Sequence, residues 1–211
     1  MKIFILGGTG LTGSHLVSQA LDAGHQVTAY VRDPRKLAKT HAQLKVVEGQ
    51  VTDQGGLKKA LEGQEFVLSA LGLKGLGDKS GFLTRGIQGV IQAMKDSHVP
   101  RLVYLSTYGI GGTDQDMGFL FSKILIPLLL KNVAADHTGA EKAVRESGLE
   151  WVIARPARLT NGPLTGKYLT EERLGKNTAN KISRADVAHF MLAQAAGERW
   201  LGKAVGLAYP S

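Results

Sequence analysis

Four glycines crowded into one short stretch, Gly7, Gly8, Gly10 and Gly13, stand between an apolar run and a helix-like pattern. Nothing else in the chain restricts its fold as strongly. The run from Ile3 to Leu6 predicts a strand, and Leu16, Val17, Ala20 and Leu21 predict one buried side of a helix directly after it. Glycine tolerates positive φ and lets the backbone come close to a bound group. The unpaired N–H groups at a helix start, with the helix dipole, favour an anion there. A strand that turns through glycine into a helix therefore predicts a seat for a pyrophosphate, the dinucleotide-binding turn of a doubly wound α/β sheet.

The chain has 211 residues, enough for a substantial core in one domain over residues 1–211. It has no cysteine, which removes disulfides, thiolate metal ligands and a cysteine nucleophile, and fits the cytoplasm. The six histidines are scattered without metal-ligand spacing, so no metal is expected. The first apolar run is too short for a signal peptide. Residues 119–130 are apolar but short for a bilayer span and carry Ser122, Lys123 and Pro127. The net charge of +8 raises nucleic-acid binding, but Lys and Arg are spread along the chain and aromatics make up only 6%. Neither nucleic acid nor membrane is an expected partner. Attraction to an anionic small molecule is the simpler reading of the charge.

Val27 to Val31 predicts the second strand, and Arg32-Asp33-Pro34-Arg35-Lys36 follows it. An acid after this strand suits the ribose of NAD, whereas an arginine suits the 2′-phosphate of NADP. Arg32 and Lys36 favour NADP(H). Asp33 complicates this, because it can face a ribose, and the basic pair can also be a solvated loop. Leu44 to Val47 predicts the third strand; Gln50 after it either meets an adenine edge or faces solvent. Asp53 is expected to cap a helix from Gln54 to Glu62. Phe66 to Leu71 predicts a buried fourth strand ending at Gly72. Gly77-Asp78-Lys79-Ser80 lacks the adjacent Gly-Lys of a P-loop, and Leu83, Ile87, Val90, Ile91 and Met94 form a helical stripe of core residues.

Arg101 to Leu105 predicts the fifth strand, which leads into Ser106 and Thr107, hydroxyls that would lie near a nicotinamide. A long helix is expected over 119–147, interrupted at Pro127 and stopped by Gly148; its His137 and Glu141 share a face, and His137 is either a site residue or structural. Trp151 to Ala154 predicts a sixth strand, followed by Arg155, Pro156 and Arg158. Residues 162–181 read as a loop over the carboxyl edge, Ser183 and Asp186 as a capping box, and Ala204 to Ala208 as a final edge strand. The alternation of strands and helices predicts one parallel sheet covered by helices.

These residues together resemble the atypical short-chain dehydrogenase/reductases, NmrA-like subgroup, over essentially the whole chain. The matching segments are GGTGLTG, Arg32 in YVRD, Ala70-Leu71-Gly72, Ser106-Thr107, Arg155-Pro156 and ISRADVAHFML. Within that group the resemblance is greatest to the biliverdin-IXβ and flavin reductases, through Asp136-His137, RESGLEWV from Arg145, the stretch Pro163 to Tyr168, and Ile182-Ser183. It implies a Rossmann fold with a small C-terminal extension on the substrate side. Gly7, Thr9, Gly10, Leu11, Thr12 and Gly13 would hold the pyrophosphate, and Arg32 and Lys36 the 2′-phosphate. Gln50 and Val51 would line the adenine, and Leu71, Gly72 and Pro156 the cofactor path. Ser106 and Thr107 would be the catalytic hydroxyls, with His137 and Arg158 near the acceptor.

The sequence departs from the wider superfamily in one respect that bears on chemistry. No tyrosine is followed four residues later by lysine: Tyr104, Tyr108 and Tyr168 meet Tyr108, Gly112 and Glu172. Carbonyl reduction needs a proton donor beside the hydride. A conjugated flavin or bilin spreads the incoming charge and can take its proton from solvent. The expectation is therefore an NADPH-dependent reductase of such a small-molecule acceptor, monomeric or weakly dimeric. Thr107, Arg158 and Gln50 stand where the flavin reductases carry serine, histidine and aspartate. A non-enzymatic NADP(H) sensor, and a reductase or epimerase of another metabolite, are the rival expectations.

Overall fold

Every position of β1 (Lys2–Leu6) after the first is buried, as a strand covered on both faces requires. It pairs in parallel with β2 (Gln26–Val31) on one side and β4 (Phe66–Ser69) on the other. Further parallel pairings add β3 (Leu44–Glu48) outside β2, then β5 (Arg101–Leu105), β6 (Glu150–Pro156) and β10 (Lys203–Ala208) beyond β4. The short β8 (Leu169–Glu171) completes an eight-stranded sheet in the order β3-β2-β1-β4-β5-β6-β10-β8. β7 (Leu159–Thr160) and β9 (Ile182–Ser183) pair separately. The computed structural model describes residues 1–37, 39–73, 75, 80–110, 112–113, 130–175 and 178–211.

This is the doubly wound Rossmann arrangement, with two corrections to the expected sheet. β8, inside the stretch read as loop, pairs antiparallel to β10 (Leu207 opposite Thr170), so the sheet is not wholly parallel and β10 is not its edge. Three residues are too few for a periodic signal, and an antiparallel edge strand on a parallel sheet is a common solution.

Helices α1 (Leu11–Asp22) and α5 (Arg184–Ala193) cover one face. α2 (Gln54–Leu61), α3 (Phe82–Asp96) and α4 (Lys131–Arg145) cover the other. The expected helix over 119–147 is observed from Lys131, and residues 119–129 lie outside those described. Local signals end and start these helices where the sequence predicts. Gly24 has φ +77° just past α1, and Gly148 has φ +72° past α4. Asp53 accepts the Gly56 N–H at 3.0 Å to cap α2. Among the described residues, no helix is long and apolar enough to cross a membrane.

The start of α3 is different. Its N-cap is Gly81, with φ +64° and no side chain to offer. Asp136 of α4 supplies the missing acceptor, taking the Leu83 and Thr84 N–H groups, each at 2.9 Å, and the Thr84 hydroxyl at 2.7 Å. A carboxylate at a helix N-terminus also meets the positive end of the dipole. Asp136 is thus a fixture between two helices.

Asp186 does similar work at the C-terminal end. The Ser183 hydroxyl accepts the Asp186 N–H at 3.0 Å, as the capping-box spacing predicts. The carboxylate, fully buried, also accepts Thr165 N–H, Gly166 N–H, the Thr165 hydroxyl and the Tyr209 hydroxyl, at 2.6 to 2.9 Å. Burial pushes its pKa up, but these donors outweigh burial and hold it below the usual carboxylate range. A lowered folded pKa means that the contribution to stability is complete above the unfolded value, about 3.9. It is lost as pH falls through the still lower folded value. Asp186→Ala is expected to cost about 3 kcal/mol, read as a lower urea midpoint at unchanged slope. Asp186→Asn is expected to flatten the acid-unfolding profile below about pH 4 relative to the parent chain.

Candidate functional site

Strand β1 connects to β2 on one side, while β4 lies on its other side, so the topological switch falls between β1 and β4. Ligands of open α/β sheets bind at the carboxyl ends of the strands beside such a point. Gly7 leaves β1 with φ +75°, and a Cβ built on it would lie 2.3 Å from the Ala70 carbonyl oxygen at the end of β4. The two strand ends touch at backbone distance here, and only glycine fits. The turn closes through Gly10 N–H to the Gly7 carbonyl at 2.9 Å. A Cβ on Gly13 would fall 2.0 Å from that same oxygen, so α1 starts pressed against the turn.

Helix α1 has no side-chain N-cap and no acid in its first turn. Its leading N–H groups therefore meet no side-chain acceptor of their own, at the positive end of a twelve-residue helix. Thr9, Gly10 and Leu11 are exposed around this opening, and Leu11 is 66% exposed, unusual for a large apolar side chain. Thr12 and Gly13 are buried beneath it. A close glycine cradle under an uncapped helix start fits a pyrophosphate.

Beyond β2, Asp33 pairs with one of its basic neighbours. Asp33 caps the 3₁₀ turn Pro34–Lys36 by accepting the Arg35 N–H, and holds the Arg35 guanidinium through Nε at 2.8 Å and a second nitrogen at 3.1 Å. That guanidinium holds the Asp33 carboxyl below its usual range. Asp33 is thereby occupied, while Arg32 and Lys36 stand exposed at the strand end.

The other expected residues occupy the same edge, with differences in exposure. Gln50 is exposed after β3, whereas Val51 is 8% exposed and packs its side chain toward Gly86 of α3, making it more a core residue than a wall. Leu71 is half-buried and Gly72 exposed after β4. Ser106 is buried after β5 and Thr107 half-buried, its hydroxyl 3.3 Å from the Tyr108 carbonyl. The buried Pro156 ends β6 and accepts the Tyr108 N–H at 2.9 Å, and Arg158 is exposed just past it. All of these lie at the carboxyl ends of β1 to β6. His137 sits in α4 beside Asp136, which caps the start of α3, and is half-buried, with no partner for its Nδ1 among the described residues. Burial pushes its pKa down, against Glu141 and Asp136, which push it up, so it is neutral at neutral pH.

Glu141, expected to share a face with His137, is committed elsewhere. It forms a bidentate pair with Arg155 of β6, Oε1 to Nε at 2.9 Å and Oε2 to a terminal nitrogen, with both side chains buried. Tyr104 lies close to this pair; burial, then Glu141 and Asp136, push its phenol far up, so it stays protonated. Tyr108 is also buried, and its hydroxyl accepts the Leu174 N–H at 2.9 Å. Neither tyrosine after the fifth strand's start is presented at the edge as an acid.

Sequence reasoning missed three of these roles: Asp136 as a distant cap, the Glu141–Arg155 pair, and Asp186 as a hub. A signal existed for the first, because α3 opens at Gly81 with no acid in its first turn and must find an acceptor elsewhere. Among the described residues no group of His, Asp and Glu is placed to hold a metal ion.

Comparison with known proteins accords with this geometry. Residues 7–198 match the sequence model of the NAD(P)H-binding family. An uncharacterized chloroplastic protein of Arabidopsis thaliana is 28% identical over 92% of this chain and 72% of its own length. The isoflavone reductase homolog IRL of Zea mays is 27% identical over 72% of this chain, which spans about half, 47%, of that protein. A Rossmann-fold NAD(P)-binding family protein from Shigella flexneri superposes with a TM-score of 0.78 at 26% identity, covering 100% of this chain and 94% of its own.

Proposed function

The chain belongs to the NAD(P)H-binding family, and from that premise we propose that it is an NADPH-dependent reductase passing hydride to a planar conjugated acceptor. Flavins such as FMN or riboflavin, and bilins, are the first candidates. The observation that carries the acceptor class is the fate of the two tyrosines near the end of β5. Tyr104 is 0% and Tyr108 7% exposed, so both phenols are buried rather than presented to an acceptor. A carbonyl substrate needs a proton donor, whereas an extended conjugated acceptor can draw its proton from water. The name of the maize relative, a reductase homolog, supports the same class of reaction.

When bound, the dinucleotide supplies the hydride; the chain's residues bind and orient. The α1 start holds the pyrophosphate, and Arg32 and Lys36 take the 2′-phosphate that Asp33, held by Arg35, does not oppose. Thr107 positions the reacting rings, and Ser106 backs it. Arg158, exposed past β6, offers its guanidinium to an anionic arm of the acceptor.

The test is anaerobic oxidation of NADPH, followed by loss of nicotinamide absorbance, with FMN, riboflavin and biliverdin offered separately and NADH in parallel. Acceptor-dependent turnover is expected, with a preference for NADPH. Arg32→Ala should raise the KM for NADPH by about tenfold to a hundredfold while leaving that for NADH nearly unchanged. Tight NADPH binding with no turnover on any acceptor would replace this reading with that of a dinucleotide sensor.

A further inference from the structure

The floor beneath Gln50 is a phenol. Tyr30, next to last in β2, is 3% exposed, and its ring lies 5.6 Å from that of Phe4. Its hydroxyl is 3.3 Å from the Gln50 carbonyl, the same oxygen that accepts the Asp53 N–H at 2.9 Å and closes the turn from Gln50 to Asp53. A Cβ built on Gly49 would fall 2.1 Å from the Tyr30 hydroxyl oxygen and 2.3 Å from the ring carbon that bears it. Gly49 has no positive φ, so the ring, and not the backbone, demands glycine there. On the far side the hydroxyl reaches the first turn of α2, where a Cβ on Gly56 would be 3.1 Å away. Val51 packs on Gly86 of α3 and Asp53 caps α2, so the turn is held from three sides while Gln50 stands exposed.

We propose that Tyr30 is a positioning residue for the adenine end of the dinucleotide, acting through the turn that carries Gln50. This rests on the dinucleotide seat proposed for the chain and not on the choice of acceptor. β2 and β3 are neighbours in the sheet, so Arg32 after one and Gln50 after the other offer a 2′-phosphate partner and an amide side by side. The amide brings both a donor and an acceptor to a purine edge. A turn already fixed from below gives up little freedom when the nucleotide binds, which favours affinity. Burial, then Asp53, push the Tyr30 pKa up, so the phenol remains a donor to the carbonyl.

Calorimetric titration of the whole chain with 2′,5′-ADP, which carries the adenine and the 2′-phosphate without the nicotinamide, tests this. Gly49→Ala drives a methyl into the ring; clearing it takes a shift of about an ångström, and affinity is expected to fall by about tenfold. Tyr30→Leu removes the atoms that the methyl meets, and the floor with them, and should weaken binding about as much. The double variant should then bind no more weakly than Tyr30→Leu alone. Tyr30→Phe keeps the ring and the fold and loses only the hydrogen bond, for a loss of about threefold. Urea midpoints are measured alongside, because a role in stability alone lowers them and leaves the affinity of the folded protein unchanged. Affinity unchanged by Gly49→Ala, or additive losses in the double variant, would overturn the proposal. No binding of 2′,5′-ADP by the parent chain would remove the dinucleotide seat itself, and the proposal with it.

Discussion

Gly13→Ala is expected to leave a folded chain that no longer holds NADPH. The added methyl would stand 2.0 Å from the Gly7 carbonyl oxygen and 2.6 Å from its carbon, both of them backbone atoms that cannot step aside alone. Either α1 slides away from the turn or Gly7 shifts, and Gly7 is already pressed against Ala70. A displacement of about an ångström in a positioning element costs about a hundredfold in function. Fluorescence titration with NADPH measures the loss, and urea unfolding without cofactor shows that the rest of the sheet survives. Gly10→Ala is the graded control: its closest approach would be 3.2 Å, so a much smaller loss is expected. Wild-type affinity in Gly13→Ala would mean that the pyrophosphate sits elsewhere.

Glu141→Ala is expected to be the most destabilising single change away from the turn. It removes the bidentate carboxylate from the buried Arg155 guanidinium, 4% exposed, in the layer between α4 and β6. Breaking a buried ion pair from one side costs about 3–5 kcal/mol, a large fraction of the 5–15 kcal/mol that ordinary domains possess. Replacing both partners with apolar groups, Glu141→Leu with Arg155→Met, removes both buried charges and should recover most of the loss. Urea midpoints of the two single variants and the double variant read this as a strongly non-additive cycle. Additive losses would show that the pair is not coupled.

The parts of this molecule that were legible in its sequence are those encoded over a few neighbouring residues. The glycine turn announced itself through strand, glycine and helix patterns in one stretch. Asp53 and Ser183 cap the helices that follow them at the spacing their chemistry requires. The strip from Leu83 to Met94 is buried as its period predicts. What was not legible joins residues far apart. Asp136 reaches back 53 residues to Leu83, and nothing in its own neighbourhood marks it as a cap. Asp33 is the subtler case, because its two possible faces, ribose or neighbour, differ only by which way Arg35 turns. Val51 was expected to line the adenine through the family resemblance, and its side chain packs toward Gly86 of α3. Periodicity could not separate the two, since a single residue after a strand has no period.

Helix α1 finishes its packing late. The Gln19 amide that steadies its far side donates to the Ala185 carbonyl, 166 residues downstream, and α5 covers Leu16 and Ala20 on the same face. During synthesis the glycine turn is therefore among the first segments made and among the last to be buttressed. A ribosome-bound fragment that stops before residue 184 would carry the whole phosphate motif and still lack the wall behind it. Dinucleotide capture by the growing chain becomes a report on the arrival of its other end.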